Sequence, residues 1–442
     1  MLLSFRFANH RSFRDEQQLN LTPTYRSDDQ PEQAVRVVGI FGANASGKSN
    51  CLHALSFMRR FVIFSDREVE PGLGVAREPY RLTPEALEAP SHYVVDLSLS
   101  GVRHTYGFAL DNDGVVEEWL YHYPRNRRRR IFERNGDSYA WGEESGQRVL
   151  LERIAEVTAS AALFLSTIAR FDHRHADGIE PEPLRDVYRW FQTIKSQEHP
   201  VFRRNSIASV AWSRDNAIRR TVIELLRAAD VGIVDVVTTT STALDEAPEL
   251  LPSAELEAEG RSMRSRIRQA SERAPRRRLK FAHQGPAGEV LFDLAEESTG
   301  TQQLLGLAIE AAQVLSGGGT MCVDEIDASL HPLLTAKLIG LFKGESSNPR
   351  HSQLVFTSHD AALLGTIDTE EILRRDEIWF AEKDADGAST LYPLTDFKPR
   401  KEGENRQRRY LNGNYGAVPD LSTYLFEQAL AARGQVDDEA TS

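Results

Sequence analysis

Apolar and polar positions alternate most clearly near the start of the chain. Leu2–Phe7 and Gln18–Leu21 predict two strands joined by the polar turn around His10–Glu16. The run Val35–Phe41 is short, continuous and β-branched, the pattern of a strand buried on both faces in a parallel sheet. A glycine-rich segment follows it and opens a helix from Lys48 to about Phe64. Between His92 and Trp141 the period of two returns in VVDLSLS, HTYGFAL and VVEEWLYHY. Asp-Asn-Asp-Gly supplies one of the turns, so an antiparallel meander flanking the glycine-rich segment is expected.

From Leu150 to Leu226 the spacing becomes helical, most clearly in Leu184–Ile194 and Ala217–Ala228. Asp235–Ser265 is rich in Thr, Glu, Ala and Pro and reads as a peripheral loop. Strand patterns resume at Arg278–His283 and Glu289–Leu294, and a βαβα alternation runs from Thr301 to about Ile378. A short β-pair from Asp376 and a helix over 420–432 close the chain. The expected class is α/β with a mixed or parallel core sheet, a flanking antiparallel β-subdomain and a helical insert. Three regions follow: 1–141, 142–277 and 278–442.

Composition narrows the function. The 442 residues are 40% hydrophobic, enough for a sizeable core, and 53 basic against 65 acidic residues leave a net charge of −12. Such a chain is not a general nucleic-acid coat. No stretch approaches the ~18 apolar residues that would cross a bilayer, and the first residues carry no secretory pattern, so a cytoplasmic protein without membrane contact is expected. Cys51 and Cys322, in separate apolar surroundings, suit a reducing compartment and read as small packing residues.

Gly42-Ala43-Asn44-Ala45-Ser46-Gly47-Lys48-Ser49 fits G-x-x-x-x-G-K-[ST] at every fixed position, between an apolar strand and a helix. Glycines let backbone N–H groups curl around a β-phosphate, and the helix N-terminus adds its positive end. Lys48 is placed to reach the β- and γ-oxygens and the Ser49 hydroxyl to hold Mg²⁺. Gly42, Asn44, Ser46, Gly47, Lys48, Ser49 and Asn50 are therefore the nucleotide-binding candidates, with ATP and Mg²⁺ the expected ligands.

The apolar strand Thr320–Val323 ends in Asp324 and Glu325. Asp324 could hold the metal shell through water and Glu325 could polarise an attacking water, although an Asp-Glu pair also occurs in ordinary turns. Twenty-six residues before Asp324, Ser298-Thr299-Gly300-Thr301-Gln302 opens the apolar helix Leu304–Leu315. Alone this is a plain helix cap; in this company it is a second anion site. His359 follows the strand Gln353–Phe356, where an imidazole can hydrogen-bond a γ-phosphate or a water. His331, before Pro332, reads as a cap or packing residue.

Phosphate loop, signature helix, acidic strand, following turn and histidine, in that order, resemble the ABC-type ATPase head. FGANASGKSN, VDEIDASLHP and FTSHD look like the SMC, RecF and OLD branch. With LLSFRFANHRSF and YLNGNYGAVPDL, the sequence most resembles the bacterial AAA ATPase subfamily numbered fifteen, which has short heads without coiled-coil arms. The resemblance covers about 1–64 and 278–420. It implies Lys48 and Ser49 as phosphate-loop residues, Asp324 as metal aspartate, Glu325 as hydrolytic glutamate and His359 as switch histidine. Ser298, Gly300 and Gln302 would belong to the signature that meets ATP held by the opposite subunit. Two departures stand out: STGTQ replaces the transporter-like SGGQ, and no glutamine stands between the first helix and the meander where such heads carry a Q-loop. The implied assembly is a homodimer or a larger even-numbered oligomer.

The densest charge run is Arg125-Asn126-Arg127-Arg128-Arg129-Arg130. Arg127–Arg130 could meet a DNA backbone, or could be a solvated hairpin tip that discourages edge pairing. His173 and His175 read as surface loop histidines. About eighty residues follow His359 and carry no further carboxylate cluster, so a nuclease of its own is not expected. The resemblance implies an ATPase subunit of an anti-phage, abortive-infection pair working with a separate effector, a nuclease or toxin encoded nearby. A RecF-like repair ATPase that binds DNA directly, and an ATP-binding scaffold that sequesters a toxin, are the alternatives.

Overall fold

Val37–Phe41 is buried at every position because it lies inside a sheet covered on both faces. The computed structural model describes the chain outside residues 25–33, 69–73, 144–147, 173–181, 197–215, 242–275, 368–369, 399–403 and 420–442. Its central sheet has six strands in the order Ser389–Pro393, Ile378–Lys383, Val37–Phe41, Gln353–Ser358, Thr320–Val323 and Lys195–Ser196. Neighbours are parallel except the hairpin partner Ser389–Pro393. Gly39 makes room at the middle of this sheet: a Cβ there would lie 2.7 Å from the Phe356 ring.

A seven-stranded antiparallel sheet packs beside it, in the order Gln17–Asn20, Leu2–Ala8, Ser91–Leu99, Val102–Leu110, Val115–Tyr123, Arg129–Asn135 and Ser138–Trp141. The expected meander is thus present, and the two N-terminal strands join it. Its apolar face, with Phe5, Phe7, Tyr93 and Phe108, closes over the helix Lys48–Glu68 and the helices Phe164–Asp172 and Glu182–Thr193. Glu118, fully buried, holds one junction: its carboxylate accepts from Phe164 N (2.7 Å), Leu165 N (3.0 Å) and Tyr106 Oη (2.9 Å), beside Arg134. It thereby satisfies the open N–H groups at a helix start.

Gln353 ties the two sheets. Its side chain accepts from Leu2 N at 2.6 Å and donates to Leu2 O at 2.9 Å and Val35 O at 3.1 Å, all buried. On the other face of the central sheet, Leu307, Leu338, Ile339 and Phe342 form a second core with the late segment, where Tyr410 and Tyr415 stack on Phe380.

Three local readings change. Asp235–Ser265, expected as a loop, begins as a strand: Ile233–Ser241 pairs with Arg276–Gly285, which pairs with Gly288–Asp293. Its β-branched residues outweigh the acidic and proline-rich stretch after it, because Ile233 and Val236 bury against Phe281 and the helix Thr299–Gly317. The strand Arg276–Gly285 runs across the expected boundary at 277. Lys195–Ser196, within the expected helical insert, forms the edge of the central sheet. The expected helix over 420–432 and the pair His173 and His175 lie outside the described residues.

Candidate active site

Parallel strands deliver their C-terminal ends to one edge, and strand order decides which side chains meet there. Gln353–Ser358 lies between the phosphate-loop strand and the acidic strand, so Thr357 and His359 emerge between Lys48 on one side and Asp324 and Glu325 on the other.

The loop is shaped by close approaches. A Cβ on Gly42 would sit 2.3 Å from Ala381 O, and one on Gly47 (φ +107°) 2.5 Å from Ser389 Oγ and 3.0 Å from Ser12 Oγ. Ala45 takes the left-handed conformation (φ +60°) between them. Ser46 is buried, and among the described residues its hydroxyl has no hydrogen-bond partner. Asn44 is exposed at the tip, and Asn50 turns back to donate to Ser12 Oγ at 2.8 Å.

Lys48 Nζ donates to Gly42 O and Ala43 O, both at 2.8 Å, and faces His359 Nδ1 at 3.3 Å. With its ammonium so engaged, Nδ1 is the acceptor; the ring proton then sits on Nε2 and is donated to Glu325 Oε1 at 3.3 Å. Burial lowers the Lys48 pKa to about 8, against the opposing pull of Asp324, Glu325 and Asp327. Nearby, Ser49 Oγ donates to Asp324 Oδ1 at 3.0 Å. The same oxygen accepts from Thr357 Oγ1 at 2.6 Å, and Thr357 Oγ1 accepts from Glu325 N at 2.7 Å. Glu325 has φ +50°, a strained turn that separates its side chain from that of Asp324.

Lys48, Ser49, Asp324, Glu325 and His359 thus share one network. Sequence reasoning missed Thr357, which joins both carboxylate positions, and Ser12 and Ser389, which back the loop. The hydroxyl at the end of the middle strand was the available signal for Thr357.

The signature residues stand elsewhere. Ser298 caps the helix Thr299–Gly317, accepting from Thr301 N at 3.1 Å, and Gln302 Nε2 donates to Glu297 O at 2.9 Å. Gly300 presses on the turn after the acidic strand, where its Cβ would lie 2.5 Å from Ser329 O. Among the described residues no hydrogen bond links Ser298, Gly300 or Gln302 to the phosphate loop. His331 caps the helix Pro332–Lys343.

The arginine run is a hairpin edge. Arg128 lies over the Tyr121 ring at 3.8 Å, Arg130 pairs with Glu133 at 2.9 Å and Arg129 reaches Glu143 at 4.0 Å. Among the described residues no helix is long and apolar enough to cross a membrane.

No curated protein sequence matches the chain. Among solved structures, the SMC head domain from Thermotoga maritima is similar at 14% identity, covering 89% of this chain and 98% of that one, with a TM-score of 0.40. An SmcHead bound to the C-winged helix domain of ScpA gives 13%, 90%, 99% and 0.41. An Smc head domain with an extended coiled coil, bound to the C-terminal domain of ScpA derived from Pyrococcus furiosus, gives 12%, 90%, 97% and 0.39. The phosphate loop after one parallel strand and the acidic end of another, joined through Ser49 and Asp324, are the arrangement of a P-loop AAA domain. Over residues 37–365 the chain matches the family described as "AAA domain, putative AbiEii toxin, Type IV TA system", and it belongs to that family.

Proposed function

We propose that the chain hydrolyses ATP with Mg²⁺ as a pair of heads closed over shared nucleotides. It serves as the sensing ATPase of a bacterial, cytoplasmic anti-phage system of the abortive-infection type, alongside a separate effector nuclease. The subfamily numbered fifteen is the branch we assign it to. The family's description, with its putative AbiEii toxin, supports the abortive-infection setting. In this reading 1–141 and 278–442 are the two ATPase lobes and 142–277 is the insert between them.

The observation that carries the hydrolytic reading is His359, which spans Lys48 and Glu325 at 3.3 Å on each side. A phosphate fits this loop: Gly42 and Gly47 let its backbone pack against Ala381 O and Ser389 Oγ where a Cβ would clash, and among the described residues the buried Ser46 Oγ has no partner. The donor set of Ser49 hydroxyl and Asp324 carboxylate is all oxygen and suits Mg²⁺, which when bound there would screen charge on the phosphate oxygens. Lys48 exchanges its carbonyl partners for β- and γ-phosphate oxygens. Glu325 takes a proton from water as the water oxygen bonds to the γ-phosphorus and the bond from that phosphorus to the β,γ-bridging oxygen breaks, leaving ADP and phosphate. His359 orients Glu325 and the water.

Among the described residues Ser298, Gly300 and Gln302 have no hydrogen bond to the phosphate loop of their own chain, which favours their use by a second copy. The test is complementation in trans. Lys48→Ala and Ser298→Arg are each expected to abolish turnover. Their mixture should recover roughly a quarter of wild-type activity, since half the dimers are mixed and each holds one intact site. A mixture as dead as its parts would overturn the shared-site reading.

A further inference from the structure

At the opposite end of the central sheet, where Thr320 begins the acidic strand, lies a cavity of about 300 Å³. That is the size of a pocket for a small metabolite. The helix Glu182–Thr193 forms one wall with Asp186, Arg189 and Trp190, and the turn before Gln353 contributes Arg350 and His351.

Two features set this cavity apart from an ordinary surface dent. First, Trp190 and Thr320 both line it, and among the described residues the buried Trp190 Nε1 and Thr320 Oγ1 have no hydrogen-bond partner. Orphaned buried polar atoms are costly, so the wall beside the cavity is not packed for stability alone. Second, Arg189 and Arg350 are exposed at the cavity with no acidic partner among the described residues, while Asp186 is the one carboxylate in the lining. Two guanidinium groups against one carboxylate leave the lining positive. Guanidinium forks select carboxylate or phosphate oxygens, and Leu99 with Trp190 offers an apolar wall.

We infer that this cavity binds a small organic anion, a phosphate or carboxylate carried on a compact body. Its anionic group pairs with Arg189 and Arg350, and its body rests against the apolar wall of Leu99 and Trp190. The site is separate from the phosphate loop. Thr320–Val323 runs straight from the cavity to Asp324, so an occupant sits at the foot of the strand that carries the hydrolytic carboxylates. A role for that occupant in sensing rests on the ATPase reading; the binding itself does not.

The test is calorimetric titration of the full chain carrying Lys48→Ala, which removes the phosphate loop as a competing site, with 5′-AMP, phosphoenolpyruvate and citrate as probes. At least one probe is expected to bind one-to-one. Arg189→Ala with Arg350→Ala, both surface changes, should weaken it about ten-fold or more, as loss of charge-assisted hydrogen bonds does. Leu99→Ala, which trims the apolar wall, should weaken it less while leaving the melting temperature near that of the parent. No binding by any of the three probes, or binding that survives the paired arginine change, would overturn the inference. Because Lys48→Ala is the parent throughout, neither result depends on whether the chain hydrolyses ATP.

Discussion

The Lys48 ammonium and the His359 ring stand 3.3 Å apart, although 311 positions separate them in sequence. They meet because the strand Gln353–Ser358 inserts beside Val37–Phe41, delivering the histidine next to the loop that the lysine closes. The contact fixes the imidazole tautomer and so directs an N–H at Glu325.

Glu325→Gln is expected to keep ATP affinity and lose turnover by about 10²–10⁴-fold, the usual worth of a general base. Because hydrolysis is what removes ATP's preference for the closed pair, the variant should accumulate as a nucleotide-bound dimer, read by light scattering after gel filtration. Normal phosphate release by this variant would remove Glu325 from the mechanism.

Lys48 gives ATP binding a defined pH dependence. Its pKa is lowered to about 8 in the free protein, and a bound triphosphate favours the ammonium and raises it. Binding therefore takes up a proton once the pH exceeds about 8. Affinity should be flat below that pH and fall above it, by up to about ten-fold per unit. Calorimetry in buffers of different ionisation heat measures the uptake, and Lys48→Ala should abolish it. An affinity constant from pH 7 to 9.5 would contradict the assignment.

Thr357→Val keeps the shape of a fully buried side chain but removes the hydroxyl shared by Asp324 and the Glu325 N–H. Leaving that N–H unpaired should cost about 1–3 kcal/mol of stability. Displacing the carboxylates should cut kcat on the order of ten- to a hundred-fold and raise the Mg²⁺ needed for half-maximal rate. Thr357→Ser should restore most of both. Equal behaviour of the Val and Ser variants would show that the hydroxyl has no part in placing the carboxylates.

Gly300→Ala would drive a methyl to 2.5 Å from Ser329 O, a backbone atom that cannot swing away. We expect about 1–3 kcal/mol of destabilisation, measured by denaturant unfolding. Nucleotide binding to the single chain should be unchanged while ATP-induced dimerisation weakens. Loss of both together would mean that Gly300 supports the fold rather than the interface.

What could be read from the chain beforehand was whatever chemistry fixes by local spacing. The phosphate loop is legible because its glycines, lysine and serine sit at invariant offsets, and the strands of the meander because their alternation is long. Lys195–Ser196 offers two residues and no period, so its place in the sheet depends entirely on tertiary pairing. Ile233–Ser241 carried a β-branched signal that the composition after it masked. The role of Thr357 has no local signature because its partners, Asp324 and the Glu325 N–H, lie 33 and 32 positions away, and only the strand order brings them together.

Gln353 has a mechanical consequence. Its carboxamide clasps Leu2 and Val35, two residues ahead of the phosphate-loop strand, and it heads the strand that carries Thr357 near its end, just before His359. Prying the antiparallel sheet away from the nucleotide edge would break the two buried hydrogen bonds to Leu2 at once, each worth about 1 kcal/mol net and more if left unpaired. Those two layers are therefore expected to move as a single lever arm, so that in the proposed pair of heads any rocking would hinge elsewhere than at Gln353.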